Sequence, residues 1–419
     1  MLVSDPVVEK VPPLPLRTLE AEESAGPADL IEDALTAIRT HLNMPIGYLS
    51  EFSGDQIVFR SVSAPGLEHL IKPGDQWPLS QVYCPRVLDG TLPNLIPDTR
   101  DIPFCSTLDV TESVPIRSHV SLPIYRTDGS AYGMFCCLSP EPNRSLNDRD
   151  LAVMQTFANL AARQVRLIEA RESELQRSID RVRRILDSGA FNTVYQPLYC
   201  LNSGRVTGLE ALTRFRSDPY RSPDKWFQEA GVAGLELDLE EATFRLALRA
   251  FDTLPEDVYL SLNASPALVC DRRFDRMLEG LPLHRMVLEI TEHHDAPGQD
   301  LFFRRLSACR LHGLRIAIDD VGAGYSGLQR IAAVAPDLLK LDRSITSGID
   351  QSPSHRAVVA ALRHFAGETG ALVLAEGVET RAEAEMVKSL GIGLAQGWLF
   401  GRPGALDELD LDRRIDIAA

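Results

Sequence analysis

Apolar and polar positions change their rhythm three times along the chain. Residues 1–27 show no rhythm and are rich in Pro, Glu and Ala, which reads as a loose leader. Ala28–Leu42 repeats with helical spacing. Short apolar or alternating runs follow at Ile46–Phe52, Gln56–Val62, His119–Tyr125 and Tyr132–Leu138. Asp128-Gly129 between the last two signals a hairpin. Residues 28–150 therefore predict an α+β module with an antiparallel sheet.

From Leu151 to Leu186 the period becomes seven. Ala158, Val165, Glu172, Ile179 and Leu186 form one series; Met154, Ala161, Ile168, Leu175 and Val182 form the other. They interleave at steps of three and four with no Pro or Gly, so residues 151–188 predict one continuous helix. At 1.5 Å per residue the stretch Leu151–Leu186 is about 54 Å long. Such a stripe packs either on its own domain or against a second helix, and the flanking Arg and Glu residues favour a parallel dimer seam.

Beyond residue 189, to about 410, eight short apolar runs alternate with helical stretches. The predicted strands are Val194–Leu198, Val206–Leu212, Val258–Asn263, Met286–Ile290, Leu314–Asp319, Leu338–Leu341, Leu372–Glu376 and Gly393–Gln396. This is the pattern of a (β/α)8 barrel, so the expected fold is multidomain: α+β module, linker helix, TIM-like barrel.

Charge narrows the function. The net charge is −16, a poor match to extended nucleic acid or an anionic membrane. No apolar run approaches the ~20 residues of a membrane span, and the N-terminus lacks a secretory pattern. The seven cysteines are scattered without metal spacing, which predicts free thiols in a reducing cytoplasm.

The candidate chemistry sits at the strand ends. Successive strands stop at Glu210, Asn263, Glu289, Asp319-Asp320, Lys340, Glu376 and Gln396. A barrel gathers these ends on one face. Crowded carboxylates repel unless cations neutralise them, and oxygen ligands without Cys or His favour Mg²⁺, Mn²⁺ or Ca²⁺ over zinc. Asp319-Asp320 is suited to bridging two ions.

These residues carry a resemblance. Residues 191–405 resemble an EAL domain, the cyclic-di-GMP phosphodiesterase family. The matching motifs are Tyr195-Gln196-Pro197, Glu210-Ala211-Leu212-Thr213-Arg214, Asn263, Leu288-Glu289-Ile290-Thr291-Glu292, Asp319 through Ser326, Lys340-Leu341-Asp342, Ala375 through Thr380 and Gln396 through Pro403. The resemblance implies metal-dependent hydrolysis of cyclic-di-GMP to linear pGpG. It implies two divalent cations, Mg²⁺ or Mn²⁺, with Ca²⁺ inhibitory. Glu210, Asn263, Glu289 and Asp319 would hold one ion, and Asp319 with Asp320 the second. Lys340 would contact the attacking water and Glu376 would be the general base. Glu292 would brace the loop after the fifth strand. Glu379 and Gln396 would complete the network, and Gln196 and Arg214 would touch substrate. Val321 and Ala323 depart from the family's usual Phe and Thr, which puts the coupling of that loop in doubt and keeps open a receptor that binds without cleaving.

Residues 28–150, with the start of the helix, resemble a GAF sensor domain. The cues are Ser80–Val87, Leu92–Thr99, the hairpin at Asp128-Gly129 and the helix Arg149–Arg163. Its ligand is not legible. The expected whole is a homodimeric, cytoplasmic enzyme regulated through the linker helix.

Overall fold

The computed structural model describes residues 26–291, 299–322 and 328–417. Glu292, Ala323 and nearly all of the leader lie outside them. The chain divides into two compact units between Glu174 and Leu175.

The first unit is built on a six-stranded antiparallel sheet. Its strands are β1 (Ile46–Ser53), β2 (Gln56–Ser63), β3 (Gln76–Pro78), β4 (Leu95–Ile96), β5 (Ser118–Tyr125) and β6 (Ala131–Ser139), in the order β3-β2-β1-β6-β5-β4. Side chains alternate between its faces. Tyr48 and Cys136 join a core closed by the irregular segments between β2 and β5. Leu49 and Cys137 join a second core under the helix Pro27–His41. The four strands read from the sequence are all present; β3 and β4 were too short to read.

One helix, Asp148–Ser188, leaves this unit and enters the next. Its seven-residue stripe is largely taken up within the chain. Met154, Ala158, Ala161 and Val165 are buried against the sheet's helix-covered face. Val182 and Ile185 pack with Phe215, Trp226 and Leu239 of the second unit. Between these ends Glu172 is exposed and Leu175 is 42% exposed. The expected seam is thus open to a second helix only near its middle.

The second unit is a closed eight-stranded barrel: β7 (Phe191–Cys200), β8 (Arg205–Phe215), β9 (Tyr259–Asn263), β10 (Met286–Thr291), β11 (Arg315–Val321), β12 (Leu338–Leu341), β13 (Leu372–Ala375) and β14 (Leu394–Ala395). All eight predicted strands are found. The difference from a fully parallel barrel is β7, antiparallel to both β8 and β14. A four-residue turn, Leu201–Gly204, joins β7 to β8, and so short a link permits only antiparallel pairing. The first half of β7 therefore lies beside the C-terminal end of β8.

The barrel interior is layered. Leu198, Tyr259, Val287, Ala317, Leu338, Leu374 and Leu394 form an apolar floor. Two residues further toward the C-terminal end, on the same inward face, stand Gln196, Ser261, Glu289, Asp319, Lys340, Glu376 and Gln396. The period of two makes this second layer an obligatory companion of the first. Gly208 sits under the Tyr259 ring, and Glu210 follows it by the same step.

Candidate metal centre in the barrel

The polar layer is organised around Lys340. This lysine is fully buried, and its Nζ lies 2.6 Å from Glu289, 2.8 Å from Glu376, 3.1 Å from Asp319 and 3.3 Å from Glu210. Four strands thus present carboxylates to one ammonium. Ser261 Oγ donates to the second Glu289 oxygen at 2.5 Å. Gln396 Nε2 donates to Gln196 Oε1 at 3.0 Å and also to Glu210. Gln196 Nε2 donates to the Gly401 carbonyl at 3.1 Å.

The electrostatics follow from one cation among many anions. Burial alone would lower the Lys340 ammonium, but Glu210, Glu289, Glu376 and Asp319 hold it well above its ordinary value. Burial pushes Glu289 well up; Lys340 opposes this, and the neighbouring carboxylates add to it. Burial likewise lifts Glu376 to about 8, with Asp319 and Glu210 adding to the rise. Glu210 goes the other way, because Lys340 and the Gln396 amide outweigh its burial. The set holds more negative charge than one lysine neutralises, so part of it keeps protons unless further cations enter.

Two groups of carboxylates fit such cations. Glu210, Glu289 and Asp319 bring ligand oxygens within 4.8 Å of one another, and so do Asp319, Asp320 and Glu376. Asp319 belongs to both. Adjacent strand residues ordinarily point to opposite faces, yet Asp319 and Asp320 share a site. The backbone explains this. Asp320 takes φ +57°, the β11–β12 register slips between Ile318 and Val321, and the Asp320 N–H donates to Asp319 Oδ1 at 3.0 Å. The donor set is all oxygen and compact, which fits hard divalent cations.

The remaining expected residues fall around this centre. Asn263 ends β9 as an exposed residue, paired in register with Glu289. Arg214 is half-buried and donates to the Thr213 carbonyl. Glu379 pairs with Arg343 at 2.8 Å, while its N–H donates to Glu383. Glu292 lies outside the described residues. Val321 is buried in the barrel core. Ser261 was missed by the sequence reading. Its signal was there: it stands two residues before Asn263 on the same face, between Leu260 and Leu262.

The pattern of the EAL domain matches residues 179–403, more than half of the chain. The chain belongs to the EAL domain family. The pattern of the GAF domain matches residues 27–165. Among relatives of this EAL chain is the cyclic di-GMP phosphodiesterase RocR of Pseudomonas aeruginosa, 29% identical over 54% of this chain and 60% of RocR. YkuI of Bacillus subtilis, an EAL-domain protein, is 30% identical over 50% of this chain and 54% of its own length. Protein y4lL of Sinorhizobium fredii is 32% identical over 53% of this chain and 28% of its own. The chain thus spans less than two thirds of each. Among solved structures, the PaMucR phosphodiesterase in complex with c-di-GMP covers 55% of this chain at 27% identity and TM-score 0.50. No described helix is long and apolar enough to cross a membrane.

Proposed function

We propose that the chain hydrolyses cyclic-di-GMP to linear pGpG in a reaction that depends on divalent cations, Mg²⁺ or Mn²⁺. The observation that carries this reading is the pair of carboxylate groups sharing Asp319 around the buried Lys340. RocR and the PaMucR complex support the choice of substrate. Glu210, Asn263, Glu289 and Asp319 hold one cation; Asp319 and Asp320 hold the other. When bound, the cations supply Lewis acidity, an activated water and charge stabilisation for in-line displacement.

The chain's own groups do the rest. Glu376, beside Lys340 at the end of β13, accepts the proton of the attacking water as general base. Lys340 orients that water and keeps Glu289 and Glu376 from drifting apart. Gln396 fixes Glu210 by hydrogen bonding, and Gln196 fixes Gln396. Arg214 contacts substrate, Glu379 extends the network through Arg343, and Glu292 braces the loop after β10. The GAF domain regulates the reaction through the helix Asp148–Ser188 in a homodimer, with Leu175 at the contact.

The test is incubation of the full chain with cyclic-di-GMP and Mg²⁺ or Mn²⁺, with pGpG read by chromatography. The expected result is turnover that EDTA abolishes. Tight binding without turnover in the wild type overturns hydrolysis and makes the chain a receptor.

A further inference from the structure

The loops after β12, β13 and β14 carry a second constellation, which shares only the Arg343–Glu379 pair with the proposed chemistry. Trp398 follows Gln396 by two residues and is 54% exposed. It is the chain's one exposed tryptophan, since Trp226 is 4% exposed and Trp77 is half-buried. Two guanidinium groups lie over its ring, Arg402 at 4.7 Å and Arg343 at 5.9 Å from the centroid. Arg343 is held in that position. Its stem lies across Gly377, where φ is +62° and a Cβ would collide with Arg343 Cγ. Its head pairs with Glu379 at 2.8 Å. Three strand-end loops thus build one feature: a half-exposed indole braced by two cations, on the barrel face that carries the carboxylates.

Exposing a large ring loses burial free energy, and cation–π contacts recover only part of it. Ring and cations together match one ligand class. An aromatic face stacks a nucleobase whatever its edge, and guanidinium groups beside it meet phosphate oxygens. A cyclic dinucleotide with its phosphodiester in the carboxylate layer carries its bases outward from that layer. We propose that Trp398 is the stacking platform for one guanine of the substrate, with Arg343 and Arg402 holding the ring in place. This rests on the substrate reading above. It makes Trp398 a residue that sets affinity for the nucleobase.

The experiment is binding of cyclic-di-GMP to the full chain in Ca²⁺, with calorimetry and tryptophan emission read together. Trp398→Ala is expected to weaken binding roughly 10- to 100-fold, as loss of one base–aromatic stack does. Trp398→Phe, which keeps a ring, restores affinity to within about threefold of wild type, a rescue that a merely structural role does not predict. Saturating ligand quenches wild-type emission and leaves that of Trp398→Phe unchanged. In Mn²⁺, the loss in Trp398→Ala falls on KM rather than kcat. Affinity of Trp398→Ala within twofold of wild type, or equal quenching in Trp398→Phe, overturns the platform. Failure of the wild-type chain to bind at all overturns the substrate reading instead, and the platform with it.

Discussion

The layer around Lys340 and strand β5 of the GAF domain both bury polar groups: the first is hydrogen-bonded among the described residues except at Gln396 Oε1, and the second carries a histidine that is not. In the barrel, Lys340 meets four carboxylates, Gln396 meets Gln196 and Glu210, and Ser261 meets Glu289. In the GAF domain, His119 is 1% exposed, yet among the described residues neither ring nitrogen has a partner, and Ser121 Oγ on the same strand face has none either. The Tyr83 ring stands edge-on to His119 at 5.2 Å. A connected polar network is expensive unless complete, and is then specific. An isolated buried imidazole simply costs free energy. Partnered burial in the barrel therefore reads as chemistry. Unpartnered burial in the GAF domain reads as a local weakness with a pH signature.

The largest effect expected from this contrast is at Lys340. Lys340→Met leaves its carboxylates without a cation and should cost about 3–5 kcal/mol in cation-free buffer, by chemical denaturation. Excess Mn²⁺ should recover much of that loss, because an ion that binds only the folded state stabilises it. A variant as stable as wild type, or one that Mn²⁺ leaves unchanged, breaks the claim that the barrel layer is a cation site.

His119 comes next. Burial pushes its imidazole down to about 4, against an ordinary 6.5. The unfolded chain therefore takes up a proton between these values that the folded chain refuses. Stability is complete above pH 6.5 and is lost as pH falls through the window to 4, by about 3 kcal/mol in all. The measurement is denaturation from pH 7 to pH 4 for wild type and His119→Phe. The slope should be shallower in the variant, and equal slopes would show that His119 is not held neutral.

Smaller still is Ser261→Ala, which removes the hydroxyl that donates to Glu289 at 2.5 Å. Leaving that buried oxygen unpaired gives an expected loss of about 1–3 kcal/mol, read by the same denaturation. The smallest effect on folding is at Leu175, 42% exposed in the middle of the long helix. Leu175→Glu should change chain stability by less than about 0.5 kcal/mol while shifting the mass in light scattering toward the monomer. An unchanged mass would exclude this segment as the proposed dimer contact.

The same contrast explains what was legible beforehand. The barrel was read strand by strand because each strand repeats one device, an apolar residue followed two positions later by a polar one, as at Val287/Glu289 and Leu338/Lys340. Repetition makes a weak local signal strong. The reversal of β7 was not read, since alternation does not encode direction. The joint presence of Asp319 and Asp320 depends on a left-handed backbone at Asp320, which no pattern of residue types announces. Ser261 was hidden by its small size. The stripe was read as a helix, and of the two partners it left open, the chain's own sheet takes the first half. Ala158 and Ala161 suit a dimer seam and a close approach to a sheet equally well, and the sheet took them. In the GAF domain, β3 and β4 are held by three and two residue pairs, too few to leave a period.

The most direct test of the central claim is the number of Mn²⁺ ions bound per chain in the presence of cyclic-di-GMP, measured for wild type and for Asp319→Ala. Asp319 is common to both carboxylate groups. The prediction is two ions in the wild type and loss of both high-affinity sites in the variant. Two ions retained after Asp319→Ala, or none in the wild type, would contradict it.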